Sequence, residues 1–396
     1  MSLVAESVEE RSAPVPAAQD PTPSGTGLKP TVAEFFAGIG LVRMGLERAD
    51  LRVVWANDIE PFKKQMYAAH FQDTEDKAFK LGDVADVRGE AMPADLSLAW
   101  ASFPCTDLSL AGGRSGLAGK HSGTFWHFTR ILKEMGDAAP SVVALENVTG
   151  LITSHGGADL IAAIQSLNDL GYSVDVLTID ARRFVAQSRP RLFIVGLQKP
   201  PAEKQEDNVE LRPAQLDRFF NNPDLEMHRA ALPKPPALRD SGLTEEVAED
   251  LPDSDERWWD DARTAKFFAE LSDLNQKRLE QRKRASSVAY RTAYRRTRNG
   301  KPAWEIRADD IAGCLRTARG GSSKQAMVRA GAGEFKVRWM TSLEYARLMG
   351  AGDYTMSVDL PTSQAVGGFG DAVCVPVVEW LARHYLARMI KDATEK

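Results

Sequence analysis

What most constrains this chain is an alternation that begins at Thr31 and repeats for about 170 residues, in which short apolar runs alternate with segments of helical spacing. Strands are predicted at Thr31–Phe36, Arg52–Trp55, Leu96–Phe103, Ser141–Leu145, Tyr172–Ile179 and Arg191–Leu197. Between them, Leu41, Met44, Leu46 and Arg48 mark one helix, and Phe62, Met66, Tyr67 and Phe71 a second. Further helices are predicted over Phe125–Met135 and from about Asp159 to Leu170. Such βαβ repetition predicts an α/β fold with a doubly wound, mostly parallel sheet. Open sheets of that kind gather ligands at the carboxyl ends of their strands, so the residues that end each run matter most. If the fifth run lies parallel to the others, Arg191–Leu197 returns antiparallel, and its first residues fall at that same edge.

At 396 residues the chain exceeds a single core, and a large and a smaller domain are expected. Residues 1–30, rich in Ala, Pro, Ser, Thr and Glu, read as a disordered tail. Residues 31–199 form the sheet domain that binds ligand. The character changes after Lys199, where acidic and proline-rich sequence with weak periodicity begins, and 200–335 reads as an inserted recognition module. Residues 336–396 return to the first domain, with a helix from Ser342 to Met349 and another from Pro376 to Met389. The net charge of −5 hides a stretch, 281–298, that holds seven Arg or Lys and no acid, with Tyr290 and Tyr294 among them. Cys105, Cys314 and Cys374 have no metal-ligand spacing, so no metal site is expected, and they imply a reducing, cytoplasmic compartment. No apolar run is read as a membrane span.

Chemistry concentrates in ASFPCTDLSLAGG, 101–113, where an apolar strand ends in Pro104–Cys105 and a polar, glycine-bearing loop follows. Proline fixes φ just before the thiol. A thiol so placed can be a nucleophile, whereas a buried structural cysteine is the bland alternative. Phe36-Ala37-Gly38-Ile39-Gly40 follows a strand and opens a helix, a turn that lets backbone approach a ligand. It is not GxGxxG, and it suits a nucleoside without pyrophosphate, such as S-adenosylmethionine; an ordinary tight turn has the same look. Asp58, ending the second strand, can accept from a ribose diol, and Asp83 from an adenine amine or simply from water. Glu146–Asn147 ends the fourth strand, where partial burial would fit the acid for proton donation; a helix-capping pair is the alternative. Gln187, Arg189 and Arg191 open the last strand, as an anion or carbonyl site or as a surface salt-bridge cluster.

Taken together, FAGIG, ANDIE, GDV, FPC, ENV and QSRPR resemble, in order and spacing, the motifs of the bacterial cytosine-5 DNA methyltransferases. SLEYARLMG, 342–350, and FGDAV, 369–373, resemble that family's last two motifs. The resemblance implies a Rossmann-like methyltransferase that moves the methyl group of S-adenosylmethionine to C5 of a cytosine flipped out of duplex DNA. Cys105 would attack C6, Glu146 would serve N3 and the exocyclic amine, Arg191 would hold the O2 side, and Arg189 would support loop or backbone. Phe36, Ala37, Gly38, Gly40, Asp58, Ile59, Asp83, Pro104, Asp371 and Ala372 would line the methyl donor. Ser109 and Gln187, with Arg291, Arg295, Arg296 and Arg319 of the insertion, would face DNA, and Asn147 would orient the loop carrying Pro104. The glycine-bearing loop 109–124 resembles the one that closes over substrate. Cys314 and Cys374 are read as structural.

Two residues depart from the family pattern. Ile59 stands where an aromatic ring is usual, and Asp371 where an asparagine is; a carboxylate cannot donate to the methionyl carboxylate, so Asp371 should face the donor's ammonium or be offset by a nearby cation. The resemblance leaves open a partner restriction endonuclease or a solitary enzyme, acting as a monomer at the nucleoid. Competing readings are the same chemistry on transfer RNA, a catalytically inactive DNA-binding relative, and a nicotinamide dehydrogenase.

Overall fold

The computed structural model describes residues 29–72, 78–104, 123–201, 208–298, 300–316, 324–357 and 359–395. Its first half is a seven-stranded sheet of order β3-β2-β1-β4-β5-β7-β6. The strands are β1 (Thr31–Phe35), β2 (Arg52–Asp58), β3 (Phe79–Leu81), β4 (Leu98–Ala101), β5 (Val142–Val148), β6 (Ser173–Asp180) and β7 (Pro190–Leu197). β1 to β5 pair in parallel, while β7 inserts antiparallel between β5 and β6. The predicted hairpin therefore exists, and it brings the start of β7 to the carboxyl ends of β4 and β5.

Both faces of the sheet are covered, as a parallel sheet requires. On one face Val32, Trp100, Val142 and Phe193 pack with Leu41 and Leu46 of α1 (Leu41–Arg48). α2 (Pro61–Phe71), which starts on proline, adds Met66 and Tyr67 to that side. On the other face Phe35, Ala99 and Leu145 meet Phe125 and Phe128 of α3 (Thr124–Met135) and Leu160 of α4 (Ala158–Asn168). Neighbouring strand residues alternate between the two clusters, the period of two that pleating imposes.

After a single turn, α5 (Asp217–Phe220), the chain builds a second sheet of order β11-β10-β8-β9, all antiparallel. It comprises β8 (Ala289–Arg298), β9 (Lys301–Ile306), β10 (Gln325–Gly331) and β11 (Glu334–Trp339). α6 (Asp261–Ala269) and α7 (Asp273–Lys283) pack beside it, with Phe267, Leu279 and Trp304 in its core and Trp259 and Trp339 at the margin. The second half of the basic run is thus the strand β8, and its first residues close α7.

β11 leads into α8 (Ser342–Leu348), whose N-terminus Thr341 and Glu344 cap reciprocally. Glu344 also takes two hydrogen bonds from Arg338, at 2.7 and 2.6 Å, and both side chains are wholly buried. α9 (Thr362–Asp371) was not foreseen, because three glycines lie within it. One of them permits close approach: a Cβ on Gly368 would sit 2.8 Å from Ile39. α10 (Val375–Leu381) and α11 (Ala387–Thr394) complete the chain. Contrary to the sequence expectation, Thr362–Thr394 is long and apolar enough to cross a membrane, with a mean hydropathy of 1.4 in its most apolar window. That window is 78% buried, against the seven-stranded sheet and its helices.

Candidate active site

The turn after β1 sets the first half of the site. Phe36 and Gly38 both take positive φ, 57° and 59°, and nothing lies within 4 Å of a Cβ placed on Gly38. The backbone there is bent toward open space, and a side chain would both strain it and fill that space. The Gly38 amide donates to Asp58 at 2.9 Å, the Glu60 amide donates to the other oxygen at 3.0 Å, and the Ala37 amide reaches the Asn57 carbonyl. Asp58 is nearly buried at the end of β2, while Ile59 beside it is 58% exposed. Asn57 donates to the carbonyls of Lys80 and Gly82, fixing the loop on which Asp83 accepts from the Ala85 amide at 2.9 Å. Asp371 ends α9 on the same side. Lys63 ties the acids together, 3.5 Å from Asp58 and 3.8 Å from Asp371. An open cradle, an anchored acid and an exposed apolar side chain fit a nucleoside-bearing ligand.

Glu34, inside β1, escaped the sequence reading. Both its carboxyl oxygens are buried without a hydrogen-bond partner. Burial pushes its carboxyl well above the usual value, against the pull of Arg43. The signal was available: an acid within the otherwise apolar run TVAEFF.

The second half lies at the ends of β4, β5 and β7. Glu146 accepts from the Arg191 Nε at 2.8 Å, and the two side chains are 9% and 15% exposed. Burial raises the Glu146 carboxyl above its usual value, and Arg191 and Arg189 only partly offset that. Asn147 donates to the Phe103 carbonyl at 3.1 Å, and so holds the backbone just before Pro104. Cys105, next in the chain, and Ser109 and Arg319 lie outside the described residues, as does most of the loop 109–124.

Gln187 and Arg291, expected to face DNA, and Arg189 are all turned toward protein. Gln187 is fully buried; its amide donates to the Leu348 carbonyl at 2.7 Å and its oxygen accepts from the Leu315 amide at 3.0 Å. It bolts the insertion to α8 and cannot face DNA. Arg189, 2% exposed, donates to the carbonyls of Leu315, Gly370 and Ala372, the backbone support that the resemblance implied and not a place among the reacting groups. Arg291 is bound to Asp310 at 2.7 Å and to its neighbour's carbonyl. Arg295 and Arg296 are more open but also have acids beside them, Glu270 at 3.4 Å and Glu305 at 3.5 Å.

A doubly wound sheet with a nucleoside cradle and an acid–guanidinium pair at one edge is the architecture of a Rossmann-like methyltransferase. The profile of the C-5 cytosine-specific DNA methylase family matches residues 31–387, and the chain belongs to that family. The type II methyltransferase M.BsuFI of Bacillus subtilis is 33% identical over 171 residues, which is 43% of this chain and 40% of that protein. M.Sau3AI of Staphylococcus aureus is 35% identical over 42% of each chain. The matched stretches thus span about two fifths of the length of these relatives. M.HaeII of Haemophilus aegyptius is 28% identical over 88% of this chain and 90% of its own. Among solved structures, the S. pombe Dnmt2 methyltransferase superposes with a TM-score of 0.57 at 16% identity, covering 92% of this chain and 99% of its own. At that identity the likeness is one of fold.

Proposed function

We propose that this chain is a DNA cytosine-5 methyltransferase, acting on a cytosine flipped out of a specific duplex sequence. The observation that carries the reading is the buried Glu146–Arg191 pair, set beside the backbone that Asn147 holds in front of Pro104 and, next in sequence, Cys105. S-adenosylmethionine, the family's methyl donor, supplies an electrophilic methyl group when bound. The Phe36–Gly40 turn, Asp58, Ile59 and the Asp83 loop would hold it, with Lys63 neutralising Asp371 and thereby answering the departure at that position.

In this reading the Cys105 thiolate attacks C6 of the cytosine, and Glu146, whose carboxyl burial raises above its usual value, delivers a proton toward N3 as charge builds on the ring. Arg191 holds Glu146 in place and presents its guanidinium to O2. C5 becomes nucleophilic enough to take the methyl group. Loss of the C5 proton and expulsion of the sulfur then restore the aromatic ring. The protein would act in the cytoplasm on chromosomal DNA, as a monomer, with or without a companion endonuclease.

Incubation of the full chain with duplex DNA and radiolabelled S-adenosylmethionine, followed by hydrolysis to bases, should yield labelled 5-methylcytosine. Cys105→Ala should abolish it while DNA and methyl donor still bind. Label appearing only in a transfer RNA added in parallel would replace DNA by RNA as substrate, and label persisting in the alanine variant would remove Cys105 from the mechanism.

A further inference from the structure

The proposed chemistry leaves one group at the catalytic edge without a role. Cys314 lies in the segment by which the insertion returns to the seven-stranded sheet. The Ala312 amide donates to the Ala186 carbonyl at 2.7 Å, and the Ala312 carbonyl accepts from the Ser188 amide at 3.0 Å. Gln187, Arg189 and Arg191 each contact the next residues, Cys314 or Leu315. The Cys314 sulfur is 3.5 Å from the Arg189 Nη1 and 3.9 Å from both terminal nitrogens of Arg191.

We propose that Cys314 is a positioning residue, its sulfur holding the far side of the Arg191 guanidinium while Glu146 holds the near side. The inference rests on the methyltransferase reading of this site. It differs from the structural role a free cysteine usually has, since the sulfur touches two charged groups rather than apolar packing alone.

Geometry supplies the first reason. Arg191 gives its Nε to Glu146 and one terminal nitrogen to its neighbour's carbonyl, Pro190, at 2.9 Å. The sulfur, 3.9 Å from both terminal nitrogens, adds a contact on the side of the guanidinium away from Glu146. Charge supplies the second. Two guanidiniums stand beside one carboxylate, and Arg189 is bonded to neutral carbonyls, so a polarisable sulfur offsets the excess positive charge. The charged and titratable groups acting there are Arg189 just before β7, Arg191 in β7, Glu146 from β5, Arg316 from its own segment and Cys374 at the start of α10. Burial alone would push the Cys314 thiol up, but Arg189, Arg191 and Arg316 outweigh it and leave the thiol below its ordinary value. Position supplies the third. The segment arrives from the insertion, so the seating of that module is transmitted to the guanidinium that faces the base.

The contact can be tested without any turnover. Iodoacetamide labelling of the full chain, read by mass mapping of the peptide bearing Cys314, should show a thiol that titrates below an ordinary cysteine. Arg191→Met should raise that midpoint and slow labelling at neutral pH by about tenfold. An unchanged rate in Arg191→Met, or no labelling in the folded wild-type chain, would overturn the proposed contact. The catalytic arm compares Cys314→Ala with Cys314→Ser. Alanine should lower kcat by about tenfold to 10²-fold, with KM for the methyl donor and the melting temperature little changed. Serine, whose oxygen still accepts from a guanidinium, should recover most of the loss. Wild-type kcat in the alanine variant, or alanine and serine falling together with melting temperature, would leave Cys314 as packing only. If the wild-type chain transfers no methyl group at all, the proposed function fails, and the labelling arm still decides whether sulfur and guanidinium are coupled.

Discussion

The catalytic edge and the four-stranded sheet both carry dense sets of arginines, and they use them in opposite ways. At the edge, Arg191 alone pairs with the one buried carboxylate, and Arg189 beside it bonds to backbone and sulfur. The arrangement leaves charge that a substrate can meet. In the four-stranded sheet the arginines of β8 stand beside acids brought in from elsewhere: Asp310 for Arg291, Glu270 for Arg295, and Glu305 for both Arg296 and Arg298. The four arginines of β8, acid-free in sequence, thus have three carboxylates beside them in space. What distinguishes a site from a scaffold here is whether the counter-charges are already present, not how many cations a segment holds.

The largest expected effect sharpens the first half of that comparison. Glu146→Gln keeps the shape and a hydrogen bond to Arg191 but removes the proton, and kcat should fall by about 10²–10⁴-fold with DNA affinity nearly unchanged. The pH dependence has a definite sign. A raised carboxyl is a proton donor below its shifted value and an anion above it, so wild-type kcat should decline as pH rises through that value. The glutamine variant should lack this limb. A variant that keeps wild-type kcat and its alkaline decline would show that Glu146 is not the donor.

Much of this edge was legible in the sequence, because the strands that end in FPC and ENV and the one that QSRPR opens are short, local and strongly patterned. The antiparallel return of β7 followed from a parallel β6, whereas its insertion between β5 and β6 did not. What could not be read was how QSRPR divides its labour. Gln187, Arg189 and Arg191 are equally polar in sequence, yet only contact with residues more than 120 positions away turns the first two inward. The same limit applies to β8, where the pairing acids lie in the α6–α7 loop, in β9 and in the segment after β9. α9 was hidden for a different reason: its glycines oppose helix locally, and one of them, Gly368, is tolerated for close packing on the Phe36–Gly40 turn.

A smaller effect tests whether the edge holds further uncompensated charge at Glu34. Its folded-state carboxyl is raised above the ordinary value of 4.5 by burial, so the fold retains the full benefit of the bound proton only below that pH and loses it as pH rises. Glu34→Gln cannot titrate. Relative to wild type it should gain stability above about pH 4.5, by on the order of 1–3 kcal/mol near neutrality, and show no gain in acid. Thermal unfolding at several pH values measures this directly. Parallel curves for the two chains would mean that Arg43 already satisfies the carboxylate.

The smallest effect is the one that could break the comparison. If the acids beside β8 do neutralise it, then Arg295→Gln with Arg296→Gln should change DNA affinity little. The slope of log affinity against log salt should then shift by less than the roughly two units expected when two phosphate contacts are lost. Arg295 and Arg296 are 38% and 51% exposed, so solvent screens their pairing with Glu270 and Glu305, and DNA phosphates could still draw them away. Glu270→Gln with Glu305→Gln separates the cases. Freed of their partners, the arginines should then bind phosphate and steepen the slope, by about one unit for each arginine released. A steep loss in the arginine variant with no gain in the acid variant would place this strand on DNA after all. The contrast between the two regions would then lie in burial rather than in pairing.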